Sequence, residues 1–381
     1  MKKLIYFLLL LTPSFLYSQE IVEIELDVDG VQRSANLYIN STYQDGDEWP
    51  LIINMHGLGS NAAQQEFYSY FDLVADTSKF LLVYPDGLLN SQGTTHWNAG
   101  FGTGVDDVGF INVLIDHMHQ SYNIDLSRVY STGMSNGGYM SYTLACELSD
   151  RIAAIASITG AMVENQENNC SPSYAPPILQ MHGTADPTVP YDGNAIQRSI
   201  PDLIEYWKEQ HGCSDDHEYI EYPDIDMEDN TTVESFSYTD CTTGGEVKFY
   251  KIENGGHTWP GAIMIPELGN VTRDIIASNE VWEFFQKYQH PNPLVVSGIN
   301  DIDQQKSNLK IFPNPSTGFI NLESELTLTN IKVFNSLGGI VLSAKDQNNG
   351  LDISTLNNGF YTISASTKDG HYEISQFVLA K

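Results

Sequence analysis

The chain has 381 residues, of which 41% are hydrophobic, and its formal net charge is −31 at pH 7. This length exceeds that of one average domain, so we expect one large domain followed by a smaller one. The strong negative charge argues against nucleic acid and anionic membrane as partners, because binding to phosphate requires a basic surface.

The N-terminus has the pattern of a secretory signal peptide. Lys2 and Lys3 precede the apolar run Leu4–Leu11, and the segment ends in small and polar residues up to Ser18. We expect this signal peptide to occupy residues 1–18. The apolar run is too short to span a bilayer and no later run reaches the required length, so no transmembrane segment is expected.

Residues 19–293 alternate strand-like and helix-like patterns. This alternation predicts an α/β domain with a mainly parallel sheet flanked by helices. The predicted elements in chain order are a hairpin of Ile21–Asp27 and Val31–Ile39, strand Pro50–Met55, helix Ala62–Ala75, strand Phe80–Tyr84, helix Asp106–Tyr122, strand Val129–Thr132, helix Tyr139–Leu148, strands Arg151–Thr159 and Pro177–His182, helix Ile200–Gln210, strand Val247–Ile252 and helix Asp274–Tyr288.

The sequence pattern changes after residue 293. Residues 294–308 are polar and rich in turn formers, which predicts a linker. Residues 309–381 contain only short β-like runs separated by Asn-Gly and Asp-Gly turns, which predicts a small all-β sandwich. Its predicted strands are Leu309–Phe312, Phe319–Leu322, Thr327–Phe334, Ile340–Leu342, Gly359–Ser364 and Tyr372–Leu379.

Gly133-Met134-Ser135-Asn136-Gly137 fits the Gly-x-Ser-x-Gly pattern of a nucleophile elbow. A serine on a sharp strand-to-helix turn has strained backbone angles, and residues two before and two after it must lack side chains to avoid collision. The motif requires a strand before it and a helix after it, and both are predicted here. Ser135 is therefore the candidate nucleophile.

A serine nucleophile needs a base and a group that orients the base. The first carboxylate beyond a later buried strand is Asp186, with Asp192 as a competitor among turn residues. Of the later histidines, His257 alone follows a buried strand, after two glycines that leave room for a loop. Strand position thus selects Ser135, Asp186 and His257 as a triad in the chain order of this motif.

Further residues are expected around this triad. The backbone N–H groups of Asn136 and of Leu58, after the Pro50–Met55 strand, are the expected oxyanion donors. Trp259, Trp97 and Met162 are candidates for contact with the acyl group, although Trp259 could equally pack the His257 loop. His117 and His119 diverge on a helix, so this pair does not indicate a metal site. No metal and no cofactor are expected.

Several separated motifs give the chain a family resemblance. They are His56-Gly57, Trp97–Gly100, Val105–Phe110, Gly133–Gly138, His182–Asp186 and Gly256–Gly261. Over residues 20 to 290 the chain resembles the secreted polyhydroxybutyrate-depolymerase and feruloyl-esterase-like branch of the α/β-hydrolases. The resemblance implies metal-free carboxylic ester hydrolysis through an acyl-serine intermediate. Some relatives with this domain pair act on poly(ethylene terephthalate), so the ester stays open among polyhydroxyalkanoate, feruloyl- or acetyl-polysaccharide and aromatic polyester.

Export would permit disulfides, and the four cysteines allow three pairings. Sequential pairing joins Cys146 to Cys170 and Cys213 to Cys241. Spacing alone does not choose among the three arrangements. The family resemblance implies the sequential one.

The C-terminal segments Ile311–Gly318, Val333–Gly338 and Leu356–Tyr361 resemble the sorting domain of the type IX secretion system. The resemblance implies that the secretion machinery is a partner and that the protein is extracellular or attached to the cell surface. The expected function is that of a monomeric, secreted serine esterase. A serine peptidase with the same chain order and a non-catalytic secreted binding protein remain alternatives.

Overall fold

A computed structural model describes residues 20–294 and 309–381, apart from residues 45, 47, 103, 165, 325–327, 336–339, 346–349 and 368–371. The predicted signal peptide and nearly all of the predicted linker lie outside the described residues. The chain divides into two compact units, Met1–Val296 and Ser297–Lys381. The predicted ends of the mature catalytic domain and of the linker stay predictions.

The larger unit is built on a ten-stranded sheet. Its strands are β1 (Glu20–Val28), β2 (Val31–Ile39), β3 (Trp49–Met55), β4 (Leu81–Pro85), β7 (Ile124–Met134), β8 (Ala154–Ile158), β9 (Ile178–Gly183), β10 (Glu218–Glu221), β11 (Thr232–Tyr238) and β12 (Val247–Glu253). Their order is β1-β2-β4-β3-β7-β8-β9-β12-β11-β10. The six central strands, β4-β3-β7-β8-β9-β12, are parallel. On one side β2 pairs antiparallel with β4 and with β1, and on the other side β11 pairs antiparallel with β12 and with β10.

Six α-helices flank this sheet in the described part of the chain. They are α1 (Ala62–Ser69), α2 (Phe71–Ala75), α3 (Asp107–Tyr122), α4 (Asn136–Glu147), α5 (Ile200–His211) and α6 (Ala277–Phe285). Side-chain caps begin three of them: Asn61, Asp106 and Ser199 each accept a backbone N–H from the first turn, which explains why these helices start there. The prediction of a helix starting at Asp106 is thus confirmed to within one residue.

Several predicted elements of the larger unit differ from the structure. The single predicted helix over Ala62–Ala75 is wrong, because Tyr70 takes a left-handed conformation (φ 50°) that divides it into α1 and α2. Strands β10 and β11 were not predicted, since β10 is exposed along its whole length and carries no apolar alternation. A two-residue ribbon, β5 (Leu88–Leu89) with β6 (Thr95–His96), was also missed.

The core of the larger unit lies on both faces of the sheet. All seven residues of β3 and all five of β8 are buried, as a continuous apolar run predicts for a strand that is covered on both sides. One apolar cluster includes residues of α3, α4 and α5, and a second includes residues of α2 and α6. The strand ends that carry the candidate site are therefore held by a packed interior.

Two disulfides cross-link the larger unit. Cys146 bonds Cys170, and Cys213 bonds Cys241, with no free cysteine in the chain that the structure describes. The sequential pairing is confirmed. Among the described residues, no helix is both long enough and apolar enough to span a bilayer.

The smaller unit is all-β. Its strands are β13 (Lys310–Phe312), β14 (Phe319–Glu323), β15 (Leu328–Phe334), β16 (Ile340–Lys345), β17 (Leu351–Asp352), β18 (Gly359–Thr367) and β19 (Tyr372–Leu379). They form one sheet in the order β13-β14-β17 and another in the order β16-β15-β18-β19, and both are antiparallel. Side chains from both sheets, among them Ile320 and Ile363, share one buried cluster. The predicted small β-sandwich is confirmed.

Candidate active site

Ser135 occupies the sharp turn between β7 and α4. Its backbone has φ 53° and ψ −119°, a conformation that is strained for any residue other than glycine. A Cβ added to Gly133 would lie 2.6 Å from a backbone carbon of Gly137, and one added to Gly137 would lie 2.2 Å from the Met55 carbonyl oxygen. Both flanking positions of the motif therefore have no room for a side chain, as the elbow pattern predicts.

Asp186 and His257 come together at the ends of two neighbouring parallel strands, β9 and β12. His257 Nδ1 lies 2.8 Å from Asp186 Oδ2. The other carboxylate oxygen, Oδ1, accepts the backbone N–H groups of Thr188 and Val189, each at 2.8 Å. Because the carboxyl group has no exposed surface and both oxygens are bound, its orientation toward the imidazole is fixed.

Glycines explain how the two loops approach each other. A Cβ on Gly183 would lie 2.2 Å from the Gly255 carbonyl oxygen, and one on Gly256 would lie 2.2 Å from the Leu268 carbonyl oxygen. The paired glycines before His257 thus allow the close packing that the sequence pattern indicated.

A second histidine, His182, lies beside the carboxylate. Its Nε2 is 3.5 Å from Asp186 Oδ2 and donates to the Val189 carbonyl oxygen at 2.8 Å. Its Nδ1 lies 3.1 Å from the Gln180 side-chain nitrogen. Complete burial lowers the pKa of His182 below its ordinary value. His182 is therefore a neutral group that holds the Asp186 loop.

Ser135 and His257 line the same cavity, which has a volume of about 580 Å³. Most of its wall is apolar and comes from two segments that the sequence analysis did not assign to the site. Helix α1 contributes Phe67 and Tyr68, and the loop after His257 contributes Ile263, Ile265 and Leu268. A backbone bond from His257 N–H to the Leu268 carbonyl oxygen (2.6 Å) attaches this loop to the imidazole segment.

The two predicted oxyanion donors belong to segments that adjoin Ser135. Leu58 lines the cavity, and a Cβ added to the preceding Gly57 would lie 3.4 Å from Ser135 Cβ. Asn136 directly follows Ser135 and is the first residue of α4. Within the described residues neither the Leu58 nor the Asn136 backbone N–H donates to a protein acceptor. Their role as oxyanion donors stays a prediction.

The three predicted acyl-contact side chains lie in the interior instead. Trp97 and Met162 have no exposed surface, Trp259 is 1% exposed, and none of them lines the cavity. The Trp259 indole N–H donates to Ser278 Oγ at 3.2 Å, and the Trp97 ring stacks on Phe110. Their contact with substrate stays a prediction, and the structure gives each a packing position.

No group of three or more His, Cys, Asp or Glu side chains is placed to hold a metal ion in the part of the chain that the structure describes. His119 Nδ1 bonds the Ile124 carbonyl oxygen, and burial lowers the pKa of His117. Around the cavity, the described residues present the Ser135 hydroxyl, the His257 imidazole and the carboxylate of Asp186 that is bound to it.

Comparison with known proteins agrees with this geometry. Residues 106–219 match the family profile described as "Phospholipase/Carboxylesterase". The acetyl xylan esterase of Aspergillus awamori superposes with a TM-score of 0.50 at 13% identity, over 70% of this chain and 99% of that one. The larger unit has an α/β-hydrolase fold. The smaller unit matches "Secretion system C-terminal sorting domain" over residues 310–379.

The α/β-hydrolase unit is also similar in sequence to curated esterases. A bifunctional acetylxylan esterase/xylanase of Neocallimastix patriciarum is 26% identical over 290 residues, which cover 76% of this chain and 37% of that protein. Feruloyl esterase B of Piromyces equi is 28% identical over 55% of this chain and 39% of that protein. The chain thus spans less than half of the length of these two relatives.

Proposed function

We propose that this protein is a secreted serine esterase in which Ser135, His257 and Asp186 form the catalytic triad. One observation carries the proposal. A serine held in the elbow conformation shares an apolar cavity with an imidazole whose far nitrogen is bound to a buried carboxylate. This is the arrangement that makes a weak hydroxyl nucleophile reactive toward a carbonyl carbon.

In the proposed acylation step, the imidazole of His257 acts as the base. Its Nδ1–H donates to Asp186 Oδ2 at 2.8 Å, which leaves Nε2 without a proton and able to accept the hydroxyl proton of Ser135. The serine oxygen then bonds the ester carbonyl carbon. The Leu58 and Asn136 N–H groups donate to the resulting oxyanion, and the positive end of the α4 dipole adds to this stabilisation.

The tetrahedral intermediate collapses when His257 returns the proton to the leaving alcohol. Water then attacks the acyl-serine, with the same imidazole as base, and releases the carboxylic acid. Asp186 keeps its hydrogen bond to Nδ1 and stabilises the imidazolium that forms twice in each cycle. The buried neutral His182 supports the Asp186 loop without taking part in proton transfer.

The cavity supports esters with an apolar acyl group as substrates. About 580 Å³ lies within the range of small-molecule sites, roughly 300–1,000 Å³, and exceeds the needs of an acetyl group. Phe67 and Ile263 are exposed at its edge, so a long or polymer-attached acyl group can extend outward. We therefore propose aromatic acyl esters on polysaccharide, or the repeating esters of a polyester, as substrates ahead of acetyl esters.

The match of residues 310–379 to a sorting domain supports the proposed export by the type IX secretion machinery. Both disulfides are consistent with an oxidising destination. Immunodetection of full-length and tail-truncated protein in culture medium, outer membrane and periplasm tests this route. Accumulation of the truncated form in the periplasm is expected, whereas equal release of both forms would refute it.

The catalytic proposal is tested with p-nitrophenyl esters and a fluorophosphonate probe. Wild-type protein should hydrolyse the ester and be labelled, whereas Ser135→Ala should do neither. Ser91→Ala, at an exposed turn, is the control and should behave as wild type. Normal turnover by Ser135→Ala would refute the mechanism. Parallel assays with feruloyl, acetyl, polyester and peptide amide substrates, with products separated by chromatography, then define the acyl preference.

A further inference from the structure

The two proposed oxyanion donors belong to separate elements. The Leu58 N–H follows β3, and the Asn136 N–H begins α4. Stabilisation of an oxyanion requires both hydrogens to converge on one point, with donor distances of about 2.7–3.1 Å. The group that sets the spacing between these two segments therefore influences the reaction without contacting the substrate.

Trp97 bonds both segments. Its backbone N–H donates to Asn136 Oδ1 at 2.7 Å, and its carbonyl oxygen accepts from Asn136 Nδ2 at 3.1 Å. Its indole N–H donates to the carbonyl oxygen of His56 at 3.0 Å. Trp97 and His56 have no exposed surface, so water does not compete for these bonds.

The His56 ring also fixes the peptide group that carries the Leu58 N–H. His56 Nδ1 donates to the Gly57 carbonyl oxygen at 2.7 Å, and Nε2 accepts the Gly87 N–H at 2.9 Å. The Gly57 carbonyl and the Leu58 N–H belong to the same planar peptide group, so fixing one fixes the direction of the other. Burial lowers the pKa of His56, which keeps the ring neutral with its proton on Nδ1.

We infer that Trp97 is a positioning residue that holds the Leu58 and Asn136 N–H groups at the spacing required by the oxyanion. It does so through its two backbone bonds to the Asn136 side chain and its indole bond to His56. This inference rests on the proposed function. It gives the buried tryptophan a role in transition-state stabilisation in place of substrate contact.

Trp97→Phe removes the indole N–H and keeps an aromatic ring to stack on Phe110, whose centroid is 6.5 Å away at an angle of 6°. The two backbone bonds to Asn136 do not depend on the side chain. We expect kcat to fall about 10- to 100-fold with KM unchanged, because displacement of a donor by roughly 1 Å weakens transition-state binding and leaves substrate binding intact.

Trp207→Phe is the matched control. Trp207 is equally buried and stacks on Tyr142, but its indole nitrogen has no hydrogen-bond partner among the described residues. The substitution therefore removes the same volume from the same domain without removing a bond. Both variants should remain folded in urea unfolding, with Trp97→Phe the less stable because it leaves the buried His56 carbonyl oxygen unpaired, and only Trp97→Phe should lose turnover.

Inhibition by an arylboronic acid separates positioning from simple destabilisation. Boronate forms a tetrahedral serine adduct that mimics the transition state, so its Ki should rise in Trp97→Phe by the same factor as kcat/KM falls. Asn136→Ala retains the backbone N–H of residue 136 and removes the two side-chain bonds to Trp97. This variant should also show a lower kcat and a higher boronate Ki, and it replaces Trp97→Phe if that protein does not fold. Its effect should not add to that of Trp97→Phe.

Three results would overturn the inference: equal turnover in Trp97→Phe and Trp207→Phe, a loss confined to KM, or an unchanged boronate Ki together with a fall in kcat. Each of these requires an active wild-type enzyme. Failure of the wild-type protein to hydrolyse any ester is a different outcome, because it refutes the proposed function and removes the basis of the inference.

Discussion

Replacing Asp186 by asparagine tests the orientation of the imidazole. Asp186 Oδ1 accepts two backbone N–H groups at 2.8 Å, and Oδ2 faces His257 Nδ1. An asparagine can keep the first two bonds only if its carbonyl oxygen takes the Oδ1 position. Its NH₂ group then faces the imidazole. The ring must accept at Nδ1, so it carries its proton on the nitrogen that should receive the proton of Ser135.

The structure also shows why the amide should not flip. A flip would place NH₂ against the N–H groups of Thr188 and Val189 and leave two buried donors unpaired, at about 1–3 kcal/mol each. The wrong imidazole tautomer is therefore enforced. We expect kcat to fall about 10⁴-fold, which is the loss that this change produces in another serine hydrolase with a triad.

The assay is steady-state hydrolysis of a p-nitrophenyl ester, with urea unfolding to show that the variant is folded. Asp192→Asn is the control, because Asp192 was the competing carboxylate and is exposed. It should retain wild-type kcat. Retention of more than about a tenth of kcat by Asp186→Asn, or an equal loss in Asp192→Asn, would refute the reasoning.

Three further perturbations have defined outcomes. Gly137→Ala should lower stability by about 1–3 kcal/mol and abolish ester turnover, because the new Cβ would lie 2.2 Å from a backbone oxygen; wild-type activity would contradict this. Replacing Cys146 and Cys170 together by serine should lower the unfolding free energy by about 3 kcal/mol in urea titrations, given the sequence separation of 24; an unchanged midpoint would contradict it. Burial lowers the pKa of His182 and His211, so at these two positions the unfolded chain gains its protons before the folded protein does as pH falls through 6.5. Stability should therefore decline between pH 7 and 5.5, by up to about 1.4 kcal/mol per pH unit for each histidine, and a flat profile of urea midpoints would refute this.

The centre of the fold was predictable because its strands are covered on both faces. The run Leu51–Met55 is apolar except for Asn54, and a near-continuous apolar run of this kind indicates a strand that is buried on both faces. The edge of the sheet lacks that signal. Every residue of β10 is exposed, and β11 alternates buried and half-buried positions among polar residues, so neither stands out from a loop. The break at Tyr70 depends on a left-handed residue with no glycine to mark it.

The proposed reacting groups could be selected from the sequence for a different reason. Each follows a buried strand, and the carboxyl ends of parallel strands meet at one edge of a sheet. Strand position therefore selects Asp186 and His257 before any distance is known. The cavity wall has no such rule: Phe67 and Tyr68 come from a helix, and Ile263 and Ile265 come from a loop without regular structure. Their meeting at Ser135 depends on tertiary packing, which local patterns do not encode.

Trp97 shows the limit of assigning roles by residue type. A tryptophan in a glycine-rich loop near a predicted site suggests substrate stacking, since an aromatic ring offers a large apolar face. An indole also has an N–H group, and a buried N–H group requires a hydrogen-bond acceptor. Here the acceptor is the backbone of the segment that carries a proposed oxyanion donor. If substrate contact were the role of Trp97, Trp97→Phe would raise KM, because the smaller ring offers less apolar surface to the substrate. If positioning is its role, the same substitution lowers kcat through loss of the N–H, so one variant distinguishes the two interpretations of this side chain.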